Sequence, residues 1–104
     1  MGFIIIKTTY PSKEKTGEVV SRLIEKKLIA SANIVHVRSV SAWTGKITEG
    51  DEFMVLLNTR EENWDAVKIE IEKDHPYEVP CIVKIDAEAN GDYEDWVRKS
   101  SQKT

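Results

Sequence analysis

Only one cysteine, Cys81, occurs in the 104 residues, so no internal disulfide can form and a disulfide-stapled scaffold is excluded. No charged-then-apolar leader stands ahead of the first strand pattern, and the expected location is reducing and cytoplasmic. No apolar run approaches the length of a membrane span. Basic residues are outnumbered, 15 Lys and Arg against 18 Asp and Glu, and nowhere form a block. That balance, net −3, argues against a protein that grips a phosphate backbone. Repeats, low-complexity tracts and a Gly/Ser linker are also missing. What remains is 40% hydrophobic and 32% charged, the makeup of one compact domain over residues 1–104, with Ser100 to Thr104 expected to fray.

Within that domain the pattern alternates between strand and helix. Phe3 to Thr9 is rich in β-branched residues and stops at Tyr10-Pro11-Ser12, a strand followed by a turn. Ser12 is placed to cap a helix whose apolar stripe is Val19, Val20, Leu23, Ile24 and Leu28. Ser31 to Ile47 reads as one long strand whose apolar phase slips, the signature of a bulge or bend. Glu49-Gly50-Asp51 supplies a turn, and Glu52 to Thr59 returns as a third strand. Thr59-Arg60-Glu61-Glu62 has capping-box spacing, opening a second helix with Trp64, Val67 and Ile71 on one side, ended by Pro76. Val79 to Asp86 is the fourth strand. A short helix capped by Asp92 follows, with Tyr93, Trp96 and Val97 at i, i+3, i+4.

The order β-α-β-β-α-β plus a terminal helix predicts an α+β, ferredoxin-like antiparallel sheet. A monomer of that fold shows polar residues at alternate positions on its open sheet face. Phe3-Ile4-Ile5-Ile6 and Phe53-Met54-Val55-Leu56-Leu57 instead run apolar without a break. Both faces of the sheet therefore need cover, which predicts a homo-oligomer packed sheet to sheet.

His75-Pro76-Tyr77-Glu78-Val79-Pro80 is a stiff extended connector, because each proline pushes the residue before it out of helical geometry. It brings an imidazole, a phenol and a carboxylate together. With Thr8-Thr9-Tyr10-Pro11, Leu28-Ile29-Ala30-Ser31-Ala32-Asn33, Trp43-Thr44-Gly45-Lys46, and Gly91-Asp92-Tyr93 with Trp96, it resembles the CutA family of divalent-cation tolerance proteins over nearly the whole chain. The resemblance implies a homotrimer similar in design to PII signalling proteins, copper or another divalent ion as a ligand in some members, and clefts between subunits that take a small ligand. It also shows departures: Ser31 stands where members often carry Cys, and Cys81 where a Glu commonly follows the second proline. The soft thiolate that favours copper is lost at one position and moved to another.

Several residues are candidates for chemistry. His75 is the candidate metal contact, as the commonest nitrogen donor, set against a helix-ending histidine that complements the dipole. Trp43, Lys46, Tyr77 and Glu78 are candidates for a ligand cleft, Trp43 as its wall and Lys46 as the contact for a small anion. His36 is read as structural. Cys81 is read as a buried, inert apolar group in the fourth strand. Asp86 to Gly91 has oxygen ligands at the first, third and fifth positions of a calcium loop but ends on Val97 rather than Glu, so it fails as one. No enzyme is expected: Thr9-Tyr10-Pro11-Ser12 lacks the arginine and amide cradle of an acylphosphatase. Phe53 to Leu57 likewise lacks the bases and aromatics of an RNA-binding strand. Two functions survive, a trimer that binds a metal ion or small anion, and a trimeric scaffold that supports another protein.

Overall fold

The computed structural model describes residues 2–103. Four strands, β1 (Phe3–Tyr10), β2 (Ser31–Trp43), β3 (Lys46–Thr59) and β4 (Ile82–Ala87), form one antiparallel sheet in the order β2-β3-β1-β4. Helices α1 (Lys13–Glu25), α2 (Trp64–Lys73) and α3 (Gly91–Ser100) complete the predicted β-α-β-β-α-β plait and its terminal helix.

Alternation along the strands decides which side each helix covers. Ile4, Ile6, Thr8 and Tyr10 of β1 and Val55, Leu57 and Thr59 of β3 are buried on one face. Against it lie Val19 and Leu23 of α1 and Val67 and Ile71 of α2, each 1% exposed or less. Truncating Leu23 or Ile71 to Ala there removes about 2–5 kcal/mol. Ser12 caps α1 as expected, accepting a hydrogen bond from the Lys15 amide at 3.2 Å. On the opposite face α3 covers one end of the sheet, where Tyr93 meets Phe3 edge to face and its hydroxyl accepts from Asn58 Nδ2. Beyond α3 that face stays open, with Val35, Val83 and Ile85 each at least 40% exposed.

Several local expectations are corrected. First, the hairpin turns at Thr44-Gly45, not Glu49-Gly50-Asp51. Thr44 and Gly45 both have positive φ, 51° and 78°, as a two-residue turn matched to strand twist requires. Gly50 instead pairs with Ser39 inside the ladder. Second, β2 has no bulge. Its register against β3 is unbroken from Ser31↔Asn58 to Trp43↔Lys46, so the apparent slip is apolar residues on both faces of a regular strand. Third, no capping box opens α2. The Thr59 hydroxyl donates to the Leu28 carbonyl, Glu62 pairs with Arg98, and a 3-10 turn over Glu61–Asn63 precedes the helix. Asp92 likewise does not cap α3, whose preceding residue is Asn90.

Fourth, the tail is held rather than frayed through Gln102. Ser101 is fully buried, its hydroxyl donates to Val97 O and accepts from the Arg60 amide, and its carbonyl accepts from Asn63. Thr104 lies outside the described residues. The fourth strand also starts later than Val79, at Ile82, because Pro80 has no amide to give the ladder.

β1 pairs with β3 only as far as Tyr10↔Phe53, so residues 37–43 and 46–52 continue as a two-stranded arm past the rest of the sheet. The molecule is correspondingly elongated, 44 × 24 × 21 Å.

Candidate functional site

The connector between α2 and β4 crosses the root of that arm, and His75 ties it to β1. His75 Nε2 lies 2.8 Å from the Thr9 carbonyl oxygen, which can only accept, so Nε2 carries the proton. Nδ1 then offers a lone pair, and the Tyr77 amide donates to it at 3.1 Å. The ring is stacked on Tyr10 at 4.4 Å between centroids, and Tyr77 is tilted against it at 5.0 Å. Burial pushes the imidazole below its ordinary range, only partly opposed by the Thr9 carbonyl and Asp74. His75 is therefore neutral in one tautomer, with both nitrogens spent on the backbone. In this arrangement it has no free lone pair for a metal.

Tyr77 carries the arrangement into the cleft. Its hydroxyl donates to Glu52 Oε2 at 2.6 Å, and burial together with that bond pushes the phenol well above its ordinary range. Burial works against the Glu52 charge, but side-chain hydrogen bonds from Ser39, Tyr77 and Thr9 outweigh it and hold the carboxyl below the usual range. Glu52 is thus held as an anion, with the Tyr77 hydroxyl as its close donor.

Between the arm and the connector opens a cleft of about 640 Å³. Trp43, Tyr77 and Glu78, three of the four residues expected at a cleft between subunits, line this cleft within one chain, and Lys46 does not. Lys46 faces Trp43 across the turn and is exposed. The ionisable carboxyl groups of the lining are Glu49, Asp51, Glu52 and Glu78, with no Lys or Arg among the lining residues. The carboxylates give the cleft a field that favours a cation, and Lys46, expected to meet a small anion, stands outside the lining. Arg38 on the arm offsets part of it, reaching Glu49 and Asp51 at 3.5 Å each.

Cys81 is also placed differently from expectation. It precedes β4, is half-buried, and stands in the cleft wall. His36 stacks on Phe53 with its ring 3.6 Å from Asp51 and is 61% exposed, a surface pairing in keeping with a structural role. Among the described residues no three metal-ligating His, Cys, Asp or Glu side chains converge. Sequence reasoning missed Thr9, Ser39, Glu49, Asp51 and Glu52 because it put the turn five residues late. A turn at Thr44-Gly45, legible from the positive-φ tolerance of glycine, pairs Ser39 with Gly50 and sets Glu52 at the arm's root.

Residues 4–100 match the model of the CutA1 divalent ion tolerance protein family. The chain belongs to that family. It is 41% identical over 101 residues to the divalent-cation tolerance protein CutA of Pyrococcus horikoshii, a match covering 96% of this chain and 99% of that one. The solved structure of the Archaeoglobus fulgidus periplasmic divalent cation tolerance protein CutA superposes with a TM-score of 0.92 at 35% identity, over 98% of this chain and all of that one. The PII-like protein CutA from Nostoc superposes with a TM-score of 0.88 at 25% identity, over 98% of both. The fold expected from the CutA resemblance is thus the fold of solved CutA proteins.

Proposed function

We propose that this CutA-family chain is a cytoplasmic homotrimer that serves divalent-ion tolerance by taking a small cationic ligand in the cleft between the arm and the connector. The observation that carries it is the lining: an indole, a phenol and four carboxylates, of which Arg38 on the arm reaches only Glu49 and Asp51. Trp43 and Tyr77 supply flat faces for a cationic ligand, and the carboxylates supply the field. Assembly through the open sheet face supports the trimer, since Val35, Val83 and Ile85 are too exposed to be left in water. The names of relatives bring the tolerance role, and the name of the Archaeoglobus protein adds a periplasmic setting. The cytoplasmic setting proposed here rests on the single cysteine.

Copper enters as the ion that the family resemblance names, with Cys81 as the soft donor in the wall. Ser31 contributes nothing soft, and its hydroxyl accepts from Asn58 at 3.0 Å. The action proposed is binding rather than catalysis, because His75, the imidazole beside the cleft, has both nitrogens committed to backbone partners and activates no nucleophile.

Titration calorimetry at pH 7.5 with copper(II), zinc(II), a diamine and ATP tests the reading. At least one cation gives heat that Trp43→Ala and Glu78→Gln reduce about tenfold or more in affinity, the loss of one charged contact, and ATP gives none. Heat from ATP alone, or from no ligand, overturns it, and silence throughout leaves the scaffold as the function.

A further inference from the structure

We propose that His75 is a proton-operated latch on the cleft: neutral, it fastens the connector to β1 and positions Tyr77, and on taking up a proton it releases Tyr77. The two ring nitrogens have opposite duties. Nε2 donates to the Thr9 carbonyl and Nδ1 accepts from the Tyr77 amide. Only a neutral imidazole can do both. Protonation puts a hydrogen on Nδ1, facing the Tyr77 N–H at 3.1 Å, so two donors oppose each other while the bond to Thr9 persists. The ring cannot readily turn aside, because it is held between Tyr10 and Tyr77. The strain falls on the connector.

Release matters because Tyr77 reaches the cleft. Its hydroxyl is one of the donors that fix the Glu52 carboxylate at 2.6 Å, and both residues are in the lining. Displacing Tyr77 removes one aromatic face and frees one carboxylate. The groups that face His75 are Asp74 at the end of α2, Lys15 on α1, Glu52 on β3, Tyr10 beneath the ring and Tyr77 itself. Asp74 and Glu52 favour the proton; Lys15 and burial oppose it. Asp74 is itself held by Lys15 and Arg22 at 3.1 Å each, which blunts its pull. The balance places proton uptake on the acid side of an ordinary imidazole.

This deepens the binding reading of the same cleft, but its test uses ligand-free protein. Nitrogen-15 NMR follows the His75 ring and the hydrogen-exchange protection of the Tyr77 amide from pH 8 to pH 5. At pH 8 the ring is the Nε2–H tautomer. As it gains a proton, Tyr77 protection falls about fivefold or more, the equivalent of one net hydrogen bond, with the same midpoint. His75→Gln, which keeps a donor and an acceptor and cannot titrate, holds Tyr77 protected at pH 5.

The proposal is overturned if the ring is the other tautomer, if it stays neutral at pH 5, or if it titrates while Tyr77 stays protected. Loss of protection at pH 5 in His75→Gln as in the parent also overturns it, by assigning the effect to another group. Should His75→Gln not fold, agreement or disagreement of the two midpoints in the parent protein decides. A latch that works in a protein that binds no cation sinks the binding reading alone.

Discussion

Glu70 shows how one residue can be a hub. Its side chain is 9% exposed on α2, yet Lys26 of α1 reaches it at 2.8 Å, Lys73 at 3.0 Å and Arg22 at 3.3 Å. Hydrogen bonds from Lys26 and Lys73 hold its carboxyl down at about 2, below the 4.5 of an unfolded chain. A depressed carboxyl stabilises the fold above the unfolded value and loses that contribution as pH falls through the folded one. Glu70→Gln is therefore expected to cost about 1–3 kcal/mol at pH 7 and to flatten the loss of stability between pH 5 and pH 2, measured by urea denaturation across that range. Of these partners only Lys73, three residues along the same helix, is legible in the sequence. Lys26 and Arg22 lie on another helix, and the Lys26–Glu70 link joins residues 44 apart and depends on how α1 packs against α2. Ser101 was missed for the same reason, since polarity near a terminus looks like a solvated tail until Arg60 and Asn63 are found beside it.

Elements were easier to read than their edges. The stripe Val19, Leu23 and the pair Val67, Ile71 had the helical period and are buried as that period requires. Turn chemistry was misjudged where two signals competed: Glu-Gly-Asp is rich in turn formers, whereas Thr-Gly needs one β-branched residue in a left-handed backbone. Thr44 accepts that conformation, φ 51°, at a cost the flanking ladder covers. Replacing it with Asn, which tolerates positive φ, is expected to stabilise the arm by about 0.5–1 kcal/mol. A rise in the thermal midpoint with unchanged cleft affinity supports this; a fall shows that the Thr44 side chain has another task.

At the scale of the molecule, the strands are apolar on both faces, and the structure shows where that surplus lies. Ile5, Met54 and Leu56 stay only half-buried, with Val35, Val83 and Ile85 exposed beside them. Ile85→Glu places a charge at the middle of this surface, opposite Ile5. Sedimentation equilibrium is expected to give three times the 11.9 kDa chain mass for the parent and one chain mass for the variant. A parent that sediments as a single chain removes the trimer. Trp43, Tyr77 and Glu78, singled out by the hairpin's aromatic and the connector's prolines, line one cleft of the chain. The charge of the cleft is not legible in this way, because three carboxylates of β3 and one of the connector converge only once the register is known.

The arm is a cantilever. Past Tyr10↔Phe53 its two strands have only each other, and its tip, with Ile47 83% and Val40 61% exposed, has no core of its own. One wall of the cleft is its root. Any body that grips the tip therefore bends the binding site, and by thermodynamic reciprocity an occupant of that site stiffens or slackens the grip.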